Sequence, residues 1–123
     1  MKSDRFKAAA EGKDFSALEE IFSPDVSFRS PVVYKPYEGR DAVKLLLGAV
    51  VQVFEDFRYL EQVETGDVAV LMFEARVGDK QIEGCDFIQL DEDGAIRALT
   101  VMVRPMSGAV ALAEAMRSRL SSA

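Results

Sequence analysis

The sequence contains no histidine, and Cys85 is its only cysteine. Histidine is the commonest general base and transition-metal ligand near neutral pH, so its absence excludes Ser-His-Asp and Cys-His catalysis and HExxH metal sites. A lone cysteine cannot form a disulfide within the chain, which is consistent with a reducing compartment. A catalytic hypothesis for this chain therefore depends on carboxylates and tyrosines.

Several other features are missing. Neither GxGxxG nor GxxxxGK[ST] occurs, so a nucleotide-phosphate site of those types is not expected. Asp and Glu outnumber Lys and Arg by 21 to 15, and the net charge of −6 argues against a nucleic-acid binder. No run approaches the ~20 apolar residues of a membrane span, and the first residues lack the apolar segment of a signal peptide. We expect a cytoplasmic protein that binds neither nucleic acid nor membrane and needs no cofactor or metal.

What is present fits one soluble globular domain, residues 1–123, of which 49% are hydrophobic and 29% charged. Apolar spacing and capping residues predict four helices, at Ser3–Ala10, Phe15–Phe22, Ala42–Val53 and Ala109–Leu120. Alternating apolar residues predict five strands, at Val26–Ser30, Phe57–Val63, Val68–Val77, Gln81–Leu90 and Ile96–Arg104. Helices followed by a run of strands predict an α+β fold, with a curved antiparallel sheet around helices and an apolar cavity between them.

The stretch Gln81–Pro105 predicts the central hairpin, because the Asp93-Gly94 step between two apolar runs favours a tight turn. Its first strand contains an anomaly, Asp86, beside Cys85 and Phe87. Carboxylates are rarely buried without a partner, and burial raises their pKa. Asp86 is therefore the candidate catalytic residue, as general acid or base or as a hydrogen-bond donor to a carbonyl oxygen. The alternative is a structural carboxylate bonded to a tyrosine, an arginine or backbone amides.

The order of elements resembles that of the nuclear transport factor 2-like superfamily. The resemblance rests on GKDFSALEEIFSPDVSFRSP, then YEGRDAVKLLL, then EGCDFIQLDEDGAIRALTVMVRP, and it covers about Phe6 to Pro105. The superfamily includes ketosteroid isomerases, SnoaL-like polyketide cyclases and limonene-epoxide hydrolases. The resemblance implies a cone-shaped α+β fold with a central apolar pocket, commonly dimeric through the outer face of the sheet. Because this fold hosts enzymes, binders and transport factors alike, it leaves the function open.

The ketosteroid isomerase template implies three catalytic positions. Counting along this chain, the base position falls on Ser30, the tyrosine position on Phe6 and the oxyanion-hole aspartate on Asp86. A serine cannot abstract an unactivated C–H proton unaided, so ketosteroid isomerase activity itself is not expected. The Asp–Arg–Asp arrangement of limonene-epoxide hydrolases cannot be traced beyond Asp86.

Strand alternation and the family register also predict which side chains line the pocket beside Asp86. Tyr34 follows the first strand, where a hydroxyl could pair with Asp86 or a ligand, or could simply cover the edge of the core. For each lining residue the alternative is an ordinary core position. The predicted lining is Phe6, Phe28, Ser30, Tyr34, Phe57, Tyr59, Leu71, Phe73, Ile88, Leu99, Val101 and Val103.

On the opposite face of the predicted sheet, Val70, Met72, Phe87 and Met102 form an apolar set that would be costly to leave in water. We therefore expect a homodimer through this face.

Two functional hypotheses follow. The first is a cofactor-independent isomerase, cyclase or hydrolase that uses Asp86 on a hydrophobic carbonyl compound. The second is a non-catalytic module that binds a small hydrophobic ligand or a partner.

Overall fold

A computed structural model describes residues 1–121, except for the side chain of Leu18. This described part of the chain forms four helices and six strands. In order they are α1 (Asp4–Glu11), α2 (Leu18–Ile21), β1 (Phe22–Arg29), β2 (Tyr37–Glu38), α3 (Arg40–Val53), β3 (Glu55–Thr65), β4 (Val68–Val77), β5 (Lys80–Leu90), β6 (Ile96–Arg104) and α4 (Met106–Ser121). The domain prediction extends to residues 122–123, which lie outside the described residues.

The six strands form one curved, open sheet in the order β2-β1-β6-β5-β4-β3. All neighbours are antiparallel except β1 and β6, which run parallel. The fold-class prediction of an α+β cone with helices packed against a curved sheet is confirmed. No helix among residues 1–121 is both long and apolar enough to cross a membrane.

The predicted hairpin is present and gives the sheet its centre. Strands β5 and β6 pair from Glu83 opposite Arg104 to Leu90 opposite Ile96. The turn is closed by Asp91, whose Oδ1 accepts the backbone N–H groups of Asp93 and Ala95 at 2.9 Å each. Burial alternates without a break from Ile82 to Leu90, so one side of β5 faces the core and the other faces outward.

The N-terminal third differs from the prediction. The second helix is only Leu18–Ile21, and β1 already begins at Phe22, where Ser23-Pro24-Asp25 was expected to turn the chain. The register between β1 and β6 shifts between Phe22 and Ser27, and Pro24 is exposed there. A proline fits a strand at such an irregularity because no ladder hydrogen bond needs its missing N–H.

Three further elements differ from the prediction. Tyr37–Glu38, expected in a loop, forms a short strand against Ser27 and Phe28. Helix α3 starts at Arg40 after Gly39, without the expected Asp41 cap. Helix α4 starts at Met106 and not at Ala109. Gly108, which was expected just before the helix, lies inside it and packs against β5, where a Cβ would lie 2.3 Å from Ile82 Cγ2.

The core fills the space between the concave face of the sheet and the helices. Its larger part joins α1 and α3 to β1, β4, β5 and β6, through completely buried side chains such as Phe22, Leu71 and Ile88. A smaller part lies under α4, around Phe73 and Leu112. The candidate site lies between these two parts.

Candidate functional site

A cavity of about 340 Å³ lies between the concave face of the sheet and helices α1, α3 and α4. Its wall is almost entirely apolar, and Asp86 is the only acidic residue that lines it among residues 1–121. Apolar concave sites with a few polar groups are the usual place for small-molecule binding. The cavity is therefore the candidate ligand site.

Asp86 lies in the middle of β5, between Leu71 of β4 and Val101 of β6. Its side chain belongs to the inward set of the alternation and is 5% exposed. Both strand neighbours are apolar, so neither can compensate a negative charge at this point of the sheet.

The carboxyl group has one hydrogen-bond partner, the phenol of Tyr59. Tyr59 Oη donates to Asp86 Oδ2 at 2.6 Å from β3, two strands away. Every fully buried side-chain nitrogen or oxygen among the described residues has a hydrogen-bond partner. Asp86 Oδ1 has none, so it is not fully buried and faces the cavity that Asp86 lines. This oxygen is free to meet a ligand.

Gly84 leaves room on β5 for Phe73, against which Tyr59 packs. Tyr59, Phe73 and Gly84 are opposite one another on β3, β4 and β5. The Phe73 ring lies over Gly84, where a Cβ would come within 2.2 Å of Phe73 Cζ and 2.7 Å of the Met102 carbonyl oxygen. The Tyr59 ring stands edge-on to Phe57 and to Phe73, with centroids 4.9 Å and 6.2 Å apart. The aromatic neighbours thereby orient the phenol toward the carboxyl group.

Burial dominates the electrostatics of the pair. It raises the pKa of Asp86 to about 7, although the hydrogen bond from Tyr59 favours the ionised form and limits the rise. The pKa of Tyr59 is raised well above its usual 10.0, first by burial and then by the charge of Asp86. Tyr59 therefore remains a neutral donor, while Asp86 exchanges its proton near neutral pH, as a general acid or base requires.

The other two positions implied by the ketosteroid isomerase template have different surroundings. The hydroxyl of Ser30 accepts the backbone N–H of Val33 at 2.9 Å and of Val32 at 3.3 Å, so it holds the loop after β1. Phe6 is 3% exposed and packs edge-on against Phe22. Neither supplies a second acid or base.

The cavity wall includes many of the residues that the sequence and the family resemblance placed there. These are Phe6, Phe28, Ser30, Phe57, Tyr59, Phe73, Leu99 and Val101, in addition to Asp86.

Four predicted lining residues lie elsewhere. Tyr34 is fully exposed because the loop after β1 turns its side chain into solvent, and Tyr59 instead contacts Asp86. Leu71 and Ile88 point inward but are completely covered within the larger core. Val103 is partly buried and packs against the smaller core under α4.

Part of the wall was missed. Helix α4 contributes Met116, Arg117 and Leu120, and the segment after α1 contributes Lys13. The amphipathic pattern of α4 indicated a buried side but not which cavity it would close. Among residues 1–121 no group of three Cys, Asp or Glu side chains is placed to hold a metal ion.

Comparison with known proteins agrees with this architecture. The family model described as SnoaL-like domain matches residues 4–99. A search of the curated proteins found no match.

Solved structures give longer matches. A steroid delta-isomerase from Pseudomonas aeruginosa is 43% identical, with a TM-score of 0.94, over 98% of this chain and 90% of that one. An uncharacterised protein conserved in bacteria, with a cystatin-like fold, from Silicibacter pomeroyi is 35% identical, with a TM-score of 0.93, over 98% and 85%. An NTF2-like protein of unknown function from Mesorhizobium loti shares the fold, at 20% identity and a TM-score of 0.76 over 85% and 88%.

Proposed function

The chain belongs to the SnoaL-like domain family within the nuclear transport factor 2-like superfamily, and we propose that it is a cofactor-independent isomerase of a hydrophobic unsaturated ketone. The observation that carries the proposal is the buried Asp86–Tyr59 pair, with a carboxyl oxygen facing an apolar cavity. The 43% identity to a protein described as a steroid delta-isomerase supports the same reaction class.

The proposed reaction needs one titrating group. Ionised Asp86 takes a proton from the carbon between the carbonyl and the double bond, which leaves an enolate and a neutral carboxylic acid. Asp86 then returns the proton to the far end of the double bond, and the product is the conjugated ketone. Atoms and charge balance without a second carboxylate. A pKa of about 7 suits both proton transfers, since Asp86 must take up the proton and then give it back.

Tyr59 is a positioning residue in this scheme. Its hydrogen bond fixes Oδ2 of Asp86 and leaves Oδ1 for the substrate. Because the same bond favours the ionised form, it keeps the base available at neutral pH.

The test follows the absorbance of a simple β,γ-unsaturated ketone as it becomes conjugated. Asp86→Asn should lower kcat by roughly a hundredfold or more, since proton transfer loses its base. Glu83→Gln is the matched control, because it neutralises a carboxylate on the outward side of the same strand. An Asp86→Asn variant with unchanged turnover contradicts the proposal.

The pH profile provides a second readout. The wild-type rate should fall as the pH drops below about 7, where Asp86 is protonated. Tyr59→Phe removes the hydrogen bond that favours ionisation, so the pKa of Asp86 and the fall in rate should both move to higher pH. Carbon-detected NMR of the Asp86 carboxyl measures the same shift directly.

A non-catalytic hydrophobic-ligand binder is the second candidate. It is favoured by Ser30, which stands at the expected base position and whose hydroxyl is engaged by the loop. This function predicts that the ketone binds and perturbs Asp86 while no product forms.

We also propose that two copies associate through the outer patch, defined as Val70, Met72, Phe87 and Met102. Met72, Phe87 and Met102 are 39%, 38% and 62% exposed, on adjacent strands. Sedimentation velocity at micromolar concentration should show a dimer that Met102→Glu dissociates. Leu45→Glu, on an exposed part of α3, should have no such effect. A stable wild-type monomer would contradict this proposal.

A further inference from the structure

The rim of the cavity carries positive charge. Besides Asp86, two charged side chains line the cavity, Lys13 after α1 and Arg117 on α4. Both are exposed, whereas Asp86 is buried, so the cations lie toward solvent and the carboxyl lies inside. The polarity of the rim is opposite to that of the protein, whose net charge is −6.

Neither cation is neutralised by the described part of the chain. Lys13 and Arg117 take part in none of the ion pairs among residues 1–121. By contrast, Arg58, Arg76 and Arg104 on the sheet are each paired with a carboxylate. The charges at the rim are therefore available to a ligand.

Lys13 is also held at the cavity. Its Nζ donates to the Phe54 carbonyl oxygen at 3.0 Å, and Phe54 itself lines the cavity. One N–H donor of the ammonium group is used in this bond, and two remain. The backbone of Lys13 has φ 54°, in the left-handed region where glycine is usual after a helix. The chain therefore has a lysine side chain at a position where glycine would be less strained.

We propose that the ligand is an amphipathic carbonyl compound with an anionic end, such as an oxo acid. Its apolar body fills the cavity, its carbonyl approaches Asp86, and its carboxylate binds Lys13 and Arg117 at the rim. This inference rests on the proposed function in that it assigns a substrate class to the same cavity.

A matched pair of ligands isolates the charged end. One is an oxodecanoate with a methyl ketone at one end and a carboxylate at the other. The other is methyl octyl ketone, which has the same ketone and chain length but ends in a methyl group. Calorimetric titration at low ionic strength should give an affinity roughly tenfold higher for the acid, because two exposed ion pairs each contribute modestly. High salt should reduce this preference.

Variants then locate the contact. Lys13→Gln and Arg117→Gln should each reduce the preference roughly threefold, and together they should abolish it, with affinity for the neutral ketone unchanged. Arg119→Gln is the matched control. It removes the same charge from α4 two residues away, outside the cavity wall, and should leave the preference intact.

The outcomes separate the two proposals. Equal affinities for acid and ketone, or a preference that survives in the double variant, would contradict the proposal that the ligand has an anionic end. Neither result would affect the proposed acid–base role of Asp86. Failure of both compounds to bind overturns the ligand class together with the proposed function.

Discussion

Carboxylates on the two faces of the sheet have opposite surroundings. On the outward face, Glu74 and Glu83 lie side by side on β4 and β5, and each is paired with an arginine on the next strand, Arg58 and Arg104 respectively. On the inward face, Asp86 is three residues further along β5 than Glu83, and within the described part of the chain it has no cationic partner. Surface pairs of the first kind contribute little to stability. The inward carboxylate is energetically costly when ionised.

The difference arises from strand alternation. Positions 83 and 86 differ by an odd number of residues, so their side chains leave opposite faces of β5. Outside, water and arginine compensate the charge. Inside, only the Tyr59 phenol does so, and one neutral hydrogen bond cannot replace hydration. A costly carboxylate that has been retained in an apolar cavity is a candidate for function.

The largest expected effect is on the pH dependence of stability. The folded chain holds the pKa of Asp86 at about 7, against 3.8 for an unperturbed aspartate. Between these values the unfolded chain has lost a proton that the folded chain keeps, so this group makes stability fall as pH rises. Asp86→Asn lacks this titration and should exceed the wild type by a few kcal/mol at about pH 8, on the order of the pKa difference.

Urea unfolding of both proteins measures this difference, which should vanish at about pH 4. Glu83→Gln should not reproduce it, because its carboxylate lies on the outward face. Parallel stability curves for the wild type and Asp86→Asn would mean that Asp86 is not desolvated.

An intermediate effect is expected from crowding the inward face. In Gly84→Ala the new methyl group would meet both the Phe73 ring and the Met102 carbonyl oxygen. Overpacking of this kind costs roughly 1–3 kcal/mol. Displacement of Phe73 should also tilt Tyr59 and weaken its bond to Asp86, visible as a change in the Asp86 carboxyl pKa.

Thermal unfolding checks this prediction, with Gln89→Ala as control on the outward side of the same strand. Equal loss in both variants would indicate a general effect of alanine in β5 and not a clash with Phe73.

The smallest effect is expected from Glu83→Gln. Its ion pair with Arg104 is exposed to solvent, so its loss should cost less than ~1 kcal/mol and should become undetectable in high salt. A loss as large as that of Gly84→Ala would show that the outward pair is as important to folding as the inward packing.

Sequence reasoning succeeded where a local pattern determined the outcome. The bounds of β4 and β6 are those that alternation and turn residues predicted, and the family resemblance is confirmed by the SnoaL-like match. It failed where a residue's conformation depends on a strand that is distant in sequence. Pro24 lies in β1 because the pairing of β1 with β6 is irregular there. The sequence also could not identify Tyr59 as the partner of Asp86, since the two lie on strands that are not neighbours in the sheet.

The unbroken alternation of β5 has a genetic consequence. Along residues 82–90, every second codon specifies the core-facing side of the strand and the codons between specify its outward side. Single substitutions can therefore change the inward and the outward face independently, although both are encoded in one short segment. An in-frame loss of one codon before Asp86 would exchange the two sets, moving Asp86 to the exterior and Phe87 to the interior. Substitutions on the outward side of this strand should be tolerated, whereas loss of a codon should not.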